Sequence, residues 1–462
     1  MLLSDREVNV DLSVVRTGRT SRRVVKPRFD VLSPPVLMGA TYIGLFAMTA
    51  IDIVITTDGR FRLRDKFQLY AGLSIPALLY LAAGYLLFVA GYYSGAGKVI
   101  ARLFPIRSGH LRSSRIPILT VVMFGVTFGI LVAYTFLVGY GRRVVVSEGG
   151  TGGALDNLVL LGEMSSIPMA LGFYYYWTAR KYVSDRAGTS GREGGRPPGV
   201  GKGFSFFIWR IMLPLQIALG IWTGTRGRVI AVLLIALAAY HYTYRRLRPS
   251  TLLGYGALLI ACVPVLGAIR DNMFRNSVVE DTRFTLSAAW DSFMARSSAL
   301  EAFTIAFENP DATPPTDSLW LTLVSGAIPR FIWRDKPNST FGQDFSVWLT
   351  GDKTAAGFAP ALPGELMLNF GYAGGLVAMF GLGILWSVLY EATIGSGFGA
   401  AGPFIYFSIL PSLTSVETGF VVQYSLILRF VLVGLLVYWI ASAKIGPGSD
   451  HPGLSRQLNR TS

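Results

Sequence analysis

Ten apolar runs, nearly free of charge, constrain this chain more than any other feature, because each is long enough to cross about 30 Å of hydrocarbon as a helix. They fall near 35–55, 68–93, 116–140, 155–178, 204–222, 228–244, 251–269, 364–390, 402–420 and 422–443. A backbone surrounded by lipid must satisfy its own hydrogen bonds, so such runs fold as helices. The expected fold class is an all-α polytopic membrane protein with about ten transmembrane helices. Composition agrees: 52% of the 462 residues are hydrophobic and only 15% are charged, too few for the surface of a soluble protein of this length. The least regular runs are the fourth, which carries Glu163, and the ninth, which carries Pro411 and a polar Thr-Ser-Val-Glu-Thr stretch.

The remainder divides around these runs. Residues 1–34 form a basic tail without a short apolar core and small-residue cleavage site, so the first span is expected to stay in the membrane. Spans one to seven occupy 35–269, a polar loop fills 270–363, spans eight to ten occupy 364–443, and a tail closes the chain at 444–462. Ten spans place both termini on one side. Most of the 42 Lys and Arg residues fall on that side, and half of those opposite lie in the one long loop, a kind discounted when orientation is read from charge. Both termini are therefore expected in the cytoplasm and the 270–363 loop outside it. The net charge of +15 reports topology, and its spread over both sides excludes a nucleic-acid role.

The cytoplasmic loop at 188–203 is rich in Gly and Pro and reads as a flexible linker. Within the large loop, 285–307 alternates apolar and polar residues at helical spacing and predicts an amphipathic helix on the outer surface, ended by Pro310, Pro314 and Pro315. The one cysteine, Cys262, lies in an apolar run and can build neither a disulfide framework nor a Cys-based metal site.

An ionisable residue in mid-membrane costs about 2.5–3.5 kcal/mol unless it pairs or faces water. On this topology Glu163, Arg226, Arg228, Arg270, Glu365, Glu417 and Arg429 gather near the outer boundary, while Arg210 lies in the inner half and can snorkel to the cytoplasmic surface. A polar cavity open to the outside explains the set together; pairing of Glu417 with Arg429 and simple anchoring of helix ends explain its members singly.

Three short motifs stand out. In Thr223-Gly224-Thr225-Arg226-Gly227-Arg228, glycines permit close backbone approach and two guanidiniums offer planar donors, a combination suited to phosphate or to anchoring a tight hairpin. The stretch at 328–337 interleaves Arg330, Arg334 and Lys336 with Phe331 and Trp333, suited to phosphates and sugar faces or to lipid headgroups. The motif at 363–371 places Glu365 and Asn369 four residues apart on one helix face. It reads as a polar stripe facing inward, or as a first-turn carboxylate favoured by the helix dipole.

Together, the Thr-Arg-Gly turn at 225–227, the Pro-Arg…Lys-Pro stretch at 329–337, the Gly-Glu-x-x-x-Asn-Phe-Gly at 364–371 and the late outer loop resemble the Wzy-type family of O-antigen and oligosaccharide repeat-unit polymerases of the bacterial envelope. The resemblance covers roughly 30–445. It implies a multi-pass glycosyltransferase of GT-C type in the cytoplasmic membrane. Such an enzyme moves a glycan from an undecaprenyl-pyrophosphate carrier to a hydroxyl of the next lipid-linked repeat, building O-antigen, capsule or exopolysaccharide.

A leaving pyrophosphate needs cations more than a general acid. The candidates are Arg226, Arg228, Arg270, Arg330, Arg334, Lys336 and Arg429, with Trp333 as a sugar contact. The related O-antigen ligases use an outer-loop histidine, whereas His110 and His241 here fall on cytoplasmic edges and His451 in the C-terminal tail. Glu365 becomes the candidate base, with Asn369 as its orienter or a sugar ligand. Asp335 and Asp344 are weaker substitutes. Neither a metal nor another cofactor is expected; the partners are the lipid-linked oligosaccharide, the bilayer and, left open, a chain-length regulator protein. An O-antigen ligase and a flippase for lipid-linked oligosaccharide are the rival functions.

Overall fold

The computed structural model describes residues 30–57, 74–103, 115–138, 164–189, 201–222, 226–252, 254–256, 258, 299–311, 328, 333, 345, 347–348, 359–395, 401–416 and 419–442. The elements among them are helices. Helix α1 (Pro34–Tyr42) passes through a π-helical stretch (Ile43–Ala47) into α2 (Met48–Thr57). Helix α3 (Ile75–Tyr93) is followed by the short α4 (Ala96–Ala101), then α5 (Arg115–Val138) and α6 (Ser166–Thr189). Helix α7 (Lys202–Phe206) continues through a π-helical stretch (Phe207–Met212) into α8 (Leu213–Trp222), and α9 (Arg226–Ala239) ends in another (Tyr240–Tyr244). The last elements are α10 (Ala299–Glu308), α11 (Ala361–Tyr390) with a π-helical end (Glu391–Gly395), α12 (Gly402–Thr414) and α13 (Phe420–Ala441).

Seven helices among the described residues are long and apolar enough to cross a membrane: Pro34–Ile51, Ile75–Tyr93, Arg115–Ala133, Lys202–Ile221, Gly227–Tyr244, Ala361–Gly395 and Gln423–Ala441. Their outward faces are apolar, with Leu79, Leu86, Ile118, Val377 and Trp439 all exposed, as lipid-facing positions require. This is the architecture of a helical membrane protein. The fourth and ninth expected spans correspond to helices of another character. Helix α6 starts at Ser166, not at 155, runs on through Arg180 and Lys181, and is buried from Ile167 to Phe173. Helix α12 has 13 residues, about 20 Å of rise, and all but three of them are buried. It fills the interior of the bundle and does not reach across a bilayer by itself. The seventh expected span, with Cys262, lies largely outside the described residues.

Packing fixes which helix ends lie together. Helices α3 and α11 run parallel, Tyr80 meeting Tyr372 near their starts and Tyr92 meeting Tyr390 near their ends. They approach so closely that a methyl on Gly91 would strike the Phe380 carbonyl and one on Gly383 the Phe88 carbonyl, the small-residue contact by which membrane helices associate. Helix α12 runs back against α11, with Tyr390 packed on Tyr406 and Trp386 donating to the Leu413 carbonyl at 3.3 Å. One end of the bundle therefore holds the starts of α3, α6, α9, α11 and α13, and the other holds their C-terminal ends together with Asp30.

Two expectations change. Residues Asp30 to Ser33 belong to the packed bundle and not to a free tail: Leu32 and Ser33 are buried, and the Leu32 carbonyl accepts the Tyr406 hydroxyl at 2.7 Å. Of the expected loop helix, 299–307 falls in α10, which does not lie on an exposed surface, and 285–298 lie outside the described residues. Ala299 to Ala306 are all buried, including the polar Glu301 and Thr304. Phe303 and Phe307 pack on Tyr80, and the Tyr372 hydroxyl donates to the Phe307 carbonyl at 2.7 Å. The periodicity that read as one wet face is covered on both sides because α3 and α11 enclose this helix.

Candidate functional site

A cavity of about 290 Å³ opens between α6, α8, α9, α12 and α13 at the end where α9 and α13 begin. At roughly 30 Å³ per water it has room for about ten waters. Its floor is apolar, formed by Met169, Val232, Ile235, Leu426 and Phe430, and its walls carry Ser165, Ser166, Gln216, Arg228, Ser408, Ser412, Ser415 and Gln423.

The helices set these groups from the sequence upward. Helix α6 opens Ser166-Ile167-Pro168, so proline falls in the first turn, where its missing N–H is harmless, and leaves Ser166 at the rim. Helices α8 and α9 form a hairpin so tight that a methyl on Gly220 would lie 2.7 Å from a Val229 methyl. The tight pairing sets Arg228, in the first turn of α9, against Gly220 of α8, about one turn from Gln216 on that helix. That turn contains no acidic residue, so a guanidinium sits at the positive end of a helix dipole, an arrangement worth about 0.3–1 kcal/mol against the helix and in favour of a bound anion. On α13, Gln423, Leu426 and Phe430 share one face by their spacing.

The hydrogen bonding of the walls is incomplete. Gln216 is 0% exposed, yet neither its amide nitrogen nor its amide oxygen has a hydrogen-bond partner among the described residues. Ser166 Oγ and Gln423 Oε1 also lack one. The Gln423 nitrogen donates to the Ser412 and Ser415 carbonyls at 2.5 and 3.2 Å; those two acceptors fix the amide's orientation and turn its oxygen to the cavity. An unfilled buried polar group costs about 1–3 kcal/mol, so these side chains are poised to gain from a ligand.

Of the residues singled out by motif, Arg228 lines this cavity. Arg226 begins α9 beside it. Arg429 lies on α13 and is not among the residues that line this cavity. Glu365 is 2% exposed and does not line the cavity either. Its carboxylate packs against Gly419, where a methyl would strike Glu365 Oε2, at the N-terminus of α13 instead of the first turn of its own helix. Asn369 is four residues on, as its spacing requires, but its side-chain nitrogen donates to the Glu365 carbonyl at 2.8 Å. That bond lies within its own helix. Just beyond, Gly371 (φ 72°, ψ 177°) breaks α11 in a conformation close to glycine-only. Trp333 is half-buried. Glu163, Arg270, Arg330, Arg334, Lys336, Asp335, Asp344 and Glu417 lie outside the described residues.

Reading the sequence for ionisable groups missed Gln216, Gln423 and Ser166, which are neutral; a primary amide inside an apolar run was the available signal. It also missed a second polar cluster at the opposite end. There Asp30 accepts from the Tyr242 hydroxyl at 2.8 Å, the Tyr390 hydroxyl and the Leu32 N–H at 3.1 Å, while His241 Nε2 lies 3.6 Å from its other side. The Leu247 N–H donates to His241 Nδ1 at 3.1 Å, so the imidazole proton sits on Nε2 and faces the carboxylate. Burial raises the Asp30 pKa, but the hydrogen bonds from His241, Tyr390, Tyr242 and Leu32 outweigh it and hold the carboxyl below its usual value. Among the described residues no three His, Cys, Asp or Glu side chains converge on a possible metal position. No known protein family, curated protein or solved structure matches this chain.

Proposed function

We propose that this chain is a multi-pass glycosyltransferase of the bacterial cytoplasmic membrane. In this reading it joins undecaprenyl-pyrophosphate-linked repeat units into a surface polysaccharide, with a GT-C-like arrangement of about ten spans and both termini in the cytoplasm. The observation that carries the reading is the cavity at the α9 N-terminus, where Arg228 and unfilled neutral polar groups share one wall. Cation distribution supports the orientation: among the described residues, Lys98, Arg102, Arg115, Lys202, Arg245, Arg246 and Arg248 sit toward the Asp30 end, and only Arg226, Arg228 and Arg429 toward the other.

In this mechanism the leaving pyrophosphate sits at the α9 N-terminus, where Arg226 and Arg228 meet its charge as the glycosidic bond to phosphate breaks. Arg270, Arg330, Arg334 and Lys336 supply further cations from the outer loop, with Trp333 stacking on sugar. The acceptor hydroxyl gives its proton to Glu365, the carboxylate buried beside Gly419 at the start of α13. No cofactor is invoked, and a chain-length regulator would bind elsewhere on the chain.

The second reading is a flippase for the same lipid, favoured by the break at Gly371 and by the π-helical stretches within the spans, since transporters use interrupted helices. Purified protein in liposomes with lipid-linked repeat units separates these. A ladder of products supports the polymerase. A single transfer step supports a ligase, and movement between leaflets without a new glycosidic bond overturns the enzyme reading.

A further inference from the structure

The unfilled groups of the cavity have a chemistry of their own. Gln216 offers one acceptor and two donor hydrogens, Gln423 offers only its carbonyl oxygen because its nitrogen is spent on the Ser412 and Ser415 carbonyls, and Ser166 offers a hydroxyl. A phosphate presents acceptors alone. It suits Arg228 but leaves the two amide oxygens facing lone pairs. A group that both donates and accepts is required, and neighbouring hydroxyls on one carbon framework match a carboxamide: one donates to its oxygen while the next accepts from its nitrogen. Among the described residues no carboxylate lines the wall, and beside Arg228 the amides and the hydroxyl suit neutral groups that both donate and accept.

We propose that Gln216, Gln423 and Ser166 form a subsite that reads the vicinal hydroxyls of a sugar, beside the anion position at Arg228. The inference deepens the glycosyltransferase reading and rests on it for the identity of the cavity as the glycan site. It makes Gln216 a specificity determinant: a sugar deprived of one of the two hydroxyls leaves a buried amide group unpaired, a loss that discriminates more strongly than a change of apolar bulk.

The test uses the purified full-length protein in detergent. Its melting midpoint is measured with D-glucose, D-galactose and D-mannose at 0.1 M, with 2-deoxyglucose, and with inorganic pyrophosphate, for the unaltered chain, Gln216→Met and Ser166→Ala. At least one hexose is expected to raise the midpoint, on the order of 2 °C for millimolar binding. The shift should vanish in Gln216→Met, shrink in Ser166→Ala and be smaller for 2-deoxyglucose than for glucose or mannose. Absence of any hexose shift in the unaltered chain, or a shift that survives in Gln216→Met, overturns the subsite. Should Gln216→Met fail to fold, Ser166→Ala with the deoxy comparison decides alone. A pyrophosphate shift without a hexose shift overturns this inference and leaves the glycosyltransferase reading in place. A Gln216-dependent hexose shift in a protein that makes no product upholds the subsite while the enzymatic reading falls.

Discussion

The two ends of the helix bundle use similar side chains to opposite effect. At the Asp30 end, a half-buried carboxylate is met by two tyrosine hydroxyls, a backbone N–H and a histidine, joining the segment before α1 to the ends of α9 and α11; the neighbouring Tyr406 hydroxyl adds α12 through the Leu32 carbonyl. At the cavity end, buried amides and a serine hydroxyl are left without partners around open space. A saturated cluster holds helices together, and removing one member strands the others. An unsaturated one burdens the folded state and gains only when something binds. Polarity inside a membrane fold therefore does not mark function by itself; what sets the cavity apart is that its unfilled groups gather around open space.

The comparison breaks most easily at Asp30. Asp30→Ala strands two phenols, an N–H and an imidazole, and should cost about 3 kcal/mol of stability or more, read as a lowered melting midpoint of the purified protein; an unchanged midpoint removes the clamp. Next in size is Gly371→Ala, which forces a side chain onto a backbone at φ 72° and should cost about 1–3 kcal/mol. Because that break lies between the cavity end and Tyr390, product formation should fall while an absorbance titration of the tyrosine cluster at the Asp30 end stays as it was.

Acid should separate the ends further. The Asp30 carboxyl is held below its ordinary value of 3.8, so the folded state binds fewer protons than the unfolded one around that pH. Its contribution is complete above about pH 5 and is lost as pH falls through 3.8 and below. Asp30→Asn should flatten that acid limb of the melting profile; a limb of unchanged steepness assigns acid sensitivity to other carboxylates. The smallest effect expected is at the cavity, and its sign is reversed. Gln216→Met, without bound sugar, should leave stability unchanged or raise it by about 1 kcal/mol, and a loss as large as that of Asp30→Ala would make Gln216 a structural residue.

The spans were legible because length and apolarity in lipid leave the backbone few choices. What failed were places where tertiary contact overrides a local pattern. The part of the 285–307 pattern from 299 on belongs to a helix enclosed by α3 and α11, so Glu301 and Thr304 are buried where a wet face was expected. The i, i+4 spacing of Glu365 and Asn369 holds along α11, where the Asn369 nitrogen donates to the Glu365 carbonyl. Arg228 was found because it is a charge beside glycines at a helix start. Gln216 was not, because a neutral amide hardly disturbs an apolar run, and Asp30 was absorbed into a tail that its four partners show to be part of the core.

The central claim, that the unfilled end does the chemistry, meets its most direct test in liposomes loaded with lipid-linked repeat units and matched amounts of folded protein. The unaltered chain should build a ladder, and Arg228→Ala, with a melting midpoint within about 2 °C of it, should lose at least about 100-fold in product, the scale of losing one preorganised charge contact at the reacting group. A full ladder from Arg228→Ala would contradict the account.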